Sequence, residues 1–506
     1  MGVKAGTVGF EEALNATGFG RFNLAMLLLC GSLVMAMFFE TAAVSFLATA
    51  SACELGTSSV EQGLMAATPM FGIIATSHIW GYFADTKGRR LVLLVSLVLG
   101  FTTGLLSALA PNWVVLSAFK LVSASAMSGT FSLANTMLSE CTPVAKRNAM
   151  IILSTSMCIA ANGCMAVLAI PILPLTFSFY ISLLDIHFNS WRLLCMIYSL
   201  PCALGFLGVY FCFESPKYLL SAGHEDKALE VLKKIYSINK SDSADNYHVK
   251  SLVLEEEMKA SKAIGLWATL KAQSIPIISP PLLKNTIVIS LLFMGIYMCV
   301  NPYLMWLPFI TDSAMRTIEA GETNLTICQM IRAGQTYAME QMAGNSGTCV
   351  LNQTAMLVIL SESLLFTILN SAMSGVINTV GRRRLLIGIQ LTSAAAGLCL
   401  NYSSQLPLSA LLFAVYLSPV LGMGIITSFS VDIYPTHLRA MAVCLTVMVG
   451  RASTIVGINI LKDLLMRNCE LSFNVFSCII LVTACISFLL PLDKRPTKKK
   501  SEEIST

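Results

Sequence analysis

Five ionisable residues lie inside long apolar runs of this 506-residue chain: Glu40, His78, Lys120, Glu362 and Arg451. An ionised side chain in hydrocarbon is costly to maintain, so such residues mark ion paths, proton relays or solute contacts by default. Glu40 and Lys120 are an acid and a base, expected to pair and to form or flank a solute site or a proton-linked switch. The plainer alternative is an ion pair that only joins helices. Arg451 can hold an anionic group or cross-link two helices, and Glu362 calls for a partner. His78 has the chemistry to titrate near neutrality, although a lone histidine in such a run more often bonds a neighbouring helix. A second group, Tyr297, Asn301, Tyr303 and Trp306, surrounds Pro302. Aromatic faces can stack on an organic cation or anchor a helix at an interface, and Pro302 removes one helical hydrogen bond.

The polar string GYFADTKGRR at 81–90 sits between two apolar runs, and NTVGRRR at 378–384 repeats it more thinly in the second half. Gly81 and Gly88 permit close approach and a tight turn. Asp85 can face a helix N-terminus or an arginine of the opposite half, while Arg89 and Arg90 supply cations. Glu140, Arg147, Glu214 and Arg439 stand at the ends of neighbouring runs and can join the same network. Such contacts would latch two halves on one face and release them on the other, as a two-state switch. The alternative is that Lys87, Arg89 and Arg90 only set topology.

These residues need elements to hold them, and the composition says which. Hydrophobic residues make up 55% of the chain, charged residues 12%, and the mean hydropathy is +0.73. Soluble domains carry roughly 25% charged residues, so most of this chain faces lipid or its own interior. Backbone polar groups in a bilayer must pair internally, which favours helices. Twelve runs suffice: 22–48, 63–84, 91–110, 113–138, 149–173, 191–213, 285–310, 354–377, 385–402, 408–431, 438–461 and 471–490. The expected fold is an all-α membrane protein, twelve transmembrane helices in two pseudo-symmetric bundles of six, with both termini cytoplasmic. Lys and Arg collect at 87–90, 146–147, 382–384, 439 and 494–500, which orients the chain by the positive-inside tendency. The expected domains are an N-terminal bundle (1–213), a linker (214–284), a C-terminal bundle (285–491) with an outer loop at 311–353, and a basic tail (492–506). Within the linker, Leu229, Leu232 and Ile235 form one stripe of an amphipathic helix. That helix is read as a spacer under the bundle, with partner binding as the alternative.

The net charge of +5 and pI near 8.4 do not imply nucleic acid, because the cations flank span ends. No phosphate-cradling GxxxxGK[ST] loop and no zinc-spaced Cys/His cluster occurs. The expectation is therefore no catalytic residue, cofactor or metal, and an energy source that is a gradient. Of sixteen cysteines, Cys53, Cys328, Cys349 and Cys469 fall in the segments expected on the outer side of the membrane. Cys328 and Cys349 share one loop and make a candidate disulfide among three possible pairings. Asn324 and Asn352 lie in glycosylation sequons; Asn352 abuts a span, so Asn324 is the better acceptor.

On these residues the chain resembles the major facilitator superfamily over nearly its whole length. The GYFADTKGRR hinge and its echo six spans later carry the resemblance. Trp191-Arg192, the ESPKYL string at 214–219, the DIYPTHLR string at 432–439 and Gly450-Arg451 are similar to the sugar and organic-ion transporter branch. The nearest group is that of synaptic vesicle glycoprotein 2 and its relatives, although Met37 stands where an aspartate is usual and Asn378 where the first hinge motif has Asp. The resemblance implies transport of a small organic solute, organic ion or sugar-like, by alternating access, with a coupling proton or ion as a further partner. Its alternative is a vesicle glycoprotein that acts as a regulator or receptor without transport.

Overall fold

The structure is a computed structural model that describes residues 7–253, 274–344, 351–434 and 436–491. After a short helix α1 (Phe10–Ala16), the first half runs α2 (Arg21–Ala50), α3 (Ser59–Lys87), α4 (Arg89–Ser107), α5 (Trp113–Met127), α6 (Thr130–Glu140), α7 (Val144–Ile172) and α8 (Ser190–Phe211). Two linker helices follow, α9 (Pro216–Ser221) and α10 (Glu225–Lys240). The second half comprises α11 (Leu283–Glu319), α12 (Ile327–Gly344), α13 (Gln353–Val380), α14 (Arg382–Leu400), α15 (Leu406–Leu417), α16 (Gly422–Ile433), α17 (Thr436–Arg467) and α18 (Cys469–Ser487). The pairs α5–α6 and α15–α16 are each one span with a break in the middle. Among the described residues twelve spans therefore stand where the apolar runs predict them. Among the described residues, ten are long and apolar enough to cross a membrane. The two that fall short, α3 and α14, adjoin the hinges and bury their polar groups against neighbours: Thr76 bonds Ser128 (2.8 Å), and Gln390 accepts from Ser487 (2.7 Å).

Local signals set the helix ends. Ser58 and Glu61 form a capping box at α3, and Asn112 accepts the Val115 N–H at the start of α5 (3.0 Å), which satisfies donors that would otherwise be stranded. The outward faces stay apolar: Leu28, Leu204 and Ile368 are 65%, 68% and 67% exposed. A belt of such residues is stable only against lipid. The protein is a multi-pass membrane protein.

The halves meet through α7 with α13, α3 with α17, and α2 with α11. Across the first contact the Gly163 N–H donates to Ser363 Oγ (3.0 Å), and Ser156 meets Asn370 and Ser371 (3.1 and 3.0 Å). Glycine at 163 is required here, because a Cβ would stand 2.9 Å from that of Ser363.

Both hinges and the linker lie at one end of the bundle. There strand β1 (Thr7–Gly9) pairs in parallel with a strand at Ser251–Val253. Ala228, Val231, Leu232 and Ile235 of α10 are buried with Phe10 and Leu14 of α1 against the first bundle. The stripe is consumed by the protein itself, as a spacer helix requires.

Two expectations are corrected at the opposite end. The region 311–353 is largely helical: α11 continues to Glu319 and α12 packs back on it, because Thr317 donates to the Met330 carbonyl (2.8 Å). Span eleven also runs past 461, to Arg467, which draws Lys462 inside it.

Candidate functional site

The first hinge is a knot of backbone donors around one carboxylate. Gly88 takes φ 98°, ψ 152°, so α3 stops and α4 starts within one residue. The freed N–H groups of Arg89 and Arg90 donate to Glu214 (3.1 Å each). Burial pushes the Glu214 carboxyl above the ordinary glutamate value, against the pull of the N–H groups of Ser215, Arg90 and Arg89. The Arg89 guanidinium reaches Glu140 (3.3 Å) and Asp85 (3.2 Å) and lies over the Tyr218 ring (5.0 Å). Ser215 closes the loop by donating to Glu140 (2.5 Å). Arg90 donates to the Val209 and Tyr210 carbonyls (3.2 and 2.5 Å) at the end of α8. Gly81 packs against nothing, which leaves only Gly88 with a conformational need.

Every partner just named belongs to the first bundle or to the start of the linker. Asp85, 75% exposed at its side chain, pairs with Arg89 just across the Gly88 turn rather than with an arginine of the opposite half. Arg147 does not join Glu140 either, but pairs with Glu11 of α1 (2.8 Å). The side chains of Arg439 and Asn378 lie outside the described residues. The second hinge repeats the construction: Arg382 lies over Phe429 (4.7 Å) and Arg383 donates to the Phe488 carbonyl at the end of α18 (2.5 Å).

Glu40 and Lys120 do pair. Lys120 Nζ and Ser123 Oγ donate to one Glu40 oxygen (2.9 and 2.7 Å), and both ionic side chains are fully buried. Their surroundings are Gly104 of α4 and Ser199 of α8, where a Cβ on Gly104 would strike Glu40. The pair thus lies inside the first bundle, among α2, α4, α5 and α8, instead of between the halves. The second bundle answers with Gly397, Tyr303, Tyr416 and Ser477 in the corresponding places: a Cβ on Gly397 would strike Ser477 and Tyr416. Tyr303 and Tyr416 meet edge to face at 5.0 Å, and Tyr303 donates to Ser472 (3.2 Å). This corrects the reading of Tyr303 and Trp306 as solute-facing aromatics. Both are fully buried in the C-terminal core, and Trp306 donates to the Ile458 carbonyl (3.1 Å).

What remains between the halves is Arg451 on α17, Tyr297 and Asn301 on α11, and His78 on α3, all half-buried. His78 and Tyr297 both lie within electrostatic reach of Arg451, and a Cβ on Gly450 would stand 3.0 Å from the Tyr297 ring. Asn301 donates to Thr454 (3.3 Å) one turn along. Among the described residues Arg451 has no hydrogen-bond or ion-pair partner. His78 Nε2 is buried and unsatisfied, and so are both oxygens of Glu362 on α13. Arg451 stands fifteen residues into a 32-residue helix, near the depth at which repeat-built carriers hold solute. An arginine without a carboxylate, facing a seam between two bundles, can receive an anionic group bidentately.

Sequence reasoning missed the clamp at the end opposite the hinges. Glu54 accepts from Asn189 (2.5 Å), Trp191 (2.6 Å) and Arg192 (2.7 Å), while Arg192 also donates to the Ala108 and Ala110 carbonyls (2.9 and 2.7 Å). Its signal was the Trp191-Arg192 pair, but the acid lies far back in the chain, on the short helix Ala52–Leu55. The disulfide expectation is corrected as well: Cys328 bonds Cys469, so α12 is stapled to the start of α18. Cys349 lies outside the described residues. Asn324 is exposed, whereas Asn352 caps α13, accepting from Thr354 and Ala355 (2.7 and 3.3 Å) and donating to Glu319 (2.7 Å).

Two like bundles with repeated hinges and unpartnered ionisable groups between them define a carrier of the major facilitator class. The chain belongs to the Sugar (and other) transporter family, which it matches over residues 30–303. It is 28% identical to svop-1 of Caenorhabditis elegans over 279 residues, 55% of this chain and 49% of that one. The match thus spans about half of that relative. It is 24% identical to organic cation/carnitine transporter 7 of Arabidopsis thaliana over 510 residues, 96% of this chain and 94% of that one. The fold is similar to the xylose transporter XylE of E. coli in a partially occluded inward-open conformation. The TM-score there is 0.67 at 15% identity, over 94% of this chain and 99% of that one.

Proposed function

We propose that this protein carries a small organic solute bearing an anionic group across a membrane, by alternating access of its two bundles around Arg451. The observation that carries the reading is the half-buried Arg451 guanidinium at the seam, with no acidic partner among the described residues. Tyr297 and Asn301 would orient the rest of the solute. A cationic solute is disfavoured because two of the three aromatic candidates, Tyr303 and Trp306, are sealed in the bundle core. In this reading both termini and both hinges face the cytoplasm, as the positive-inside tendency directs. A proton or small-cation gradient supplies the energy, with Glu362 as the coupling carboxyl.

The test is counterflow in proteoliposomes with panels of organic anions, organic cations and neutral sugars. Anions are the expected cargo. Arg451→Gln should raise the KM for them on the order of tenfold or more, the loss of one charge-assisted hydrogen bond, and Arg451→Lys should recover part of it. Unchanged anion uptake in Arg451→Gln would sink the proposal. Absence of counterflow for every panel would favour the transporter-fold regulator instead.

A further inference from the structure

We propose that Lys462, Trp306 and Phe309 form a second anion site in the C-terminal half, one that takes a compact monoanion, either a halide or a carboxylate. It stands independently of the solute reading at Arg451. Lys462 follows Arg451 by eleven residues, about three helical turns, so both cations lie on one side of α17, roughly 16 Å apart by helical rise. Lys462 as a whole residue is 3% exposed. Its Nζ lies 4.4 Å from the Trp306 ring centre and 3.6 Å from that of Phe309.

Among the described residues nothing accepts a hydrogen bond from this ammonium and no acidic group acts on it. The adjacent Asp463 is engaged with Arg467 (2.7 Å). Two ring faces soften the charge on one side, but three N–H donors still want an acceptor. The rings present electron-rich faces, so an anion approaches from the side away from them, and Trp306 is a fixed wall because its indole N–H is tied to Ile458.

The experiment reads tryptophan fluorescence of the full-length protein in nanodiscs, titrated with iodide at constant ionic strength against gluconate. Trp306 lies beside the proposed site, and Trp80, Trp113, Trp191 and Trp267 supply the background. The expected result is a saturable quenching component that disappears in Trp306→Phe and in Lys462→Gln but persists in Lys462→Arg. Acetate added at the same ionic strength removes that component if the site takes carboxylates and leaves it if the site takes halides only. Strictly linear quenching in the unmodified protein overturns the proposal without any variant. So does a saturable component that survives in folded Lys462→Gln protein.

Discussion

Gly88 and Gly381 hold one backbone conformation, φ 98°, ψ 152° and φ 91°, ψ 143°, each ending one span and opening the next. The arginines after them act alike. The first in each half lies over an aromatic ring, and the second caps the carbonyl end of that half's last span. The second arginine thus repeats its role at the same helix end in both bundles, while the ring under the first comes from linker helix α9 in one half and from α16 in the other.

That conformation lies in a region which only glycine occupies without strain. Gly88→Ala should therefore cost about 1–3 kcal/mol, with more added because its Cβ would run into Glu214. Gly381→Ala should carry at least the same backbone cost. Thermal unfolding of purified protein in detergent ranks the two, and equal melting temperatures for all three proteins would refute the strain.

Glu40 and Lys120 are an uncompromising pair, sealed on all sides. Lys120→Met alone leaves a buried carboxylate without its cation and should destabilise by about 3–5 kcal/mol, whereas Glu40→Leu with Lys120→Met should regain most of it. The double variant should keep the solute KM, because the pair lies within the bundle. A raised KM with restored stability would return these residues to the solute site.

The Cys328–Cys469 bond predicts a specific chemistry. Peptide mapping without reductant should find these two cysteines in one fragment pair. Replacing either by serine should cost about 2–5 kcal/mol of stability and loosen α12 from α18.

Asn324→Gln should abolish the glycan-dependent shift on a gel, and Asn352→Gln should leave it. The second change should instead weaken the start of α13 by about 1 kcal/mol, as lost helix caps do. A shift lost only in Asn352→Gln would reverse the assignment.

The sequence alone determined the membrane class, the twelve spans and the internal repeat. Those follow from local quantities: run length, the break at a glycine and the clustering of cations at span ends. It also nominated Glu40 with Lys120, and Arg451, since ionisable residues stand out in apolar runs. Which way each residue turns was beyond it, because all faces of these helices are apolar and the spacing does not mark an inner one. Only the packed structure decided that Glu40 and Lys120 meet inside a bundle, that Tyr303 and Trp306 belong to a core, and that Arg451 faces the seam. It likewise chose Cys469 for Cys328 and Glu54 for Arg192. Those pairs join residues 141 and 138 positions apart, and a separation that long is closed by the fold, not by any pattern along the chain.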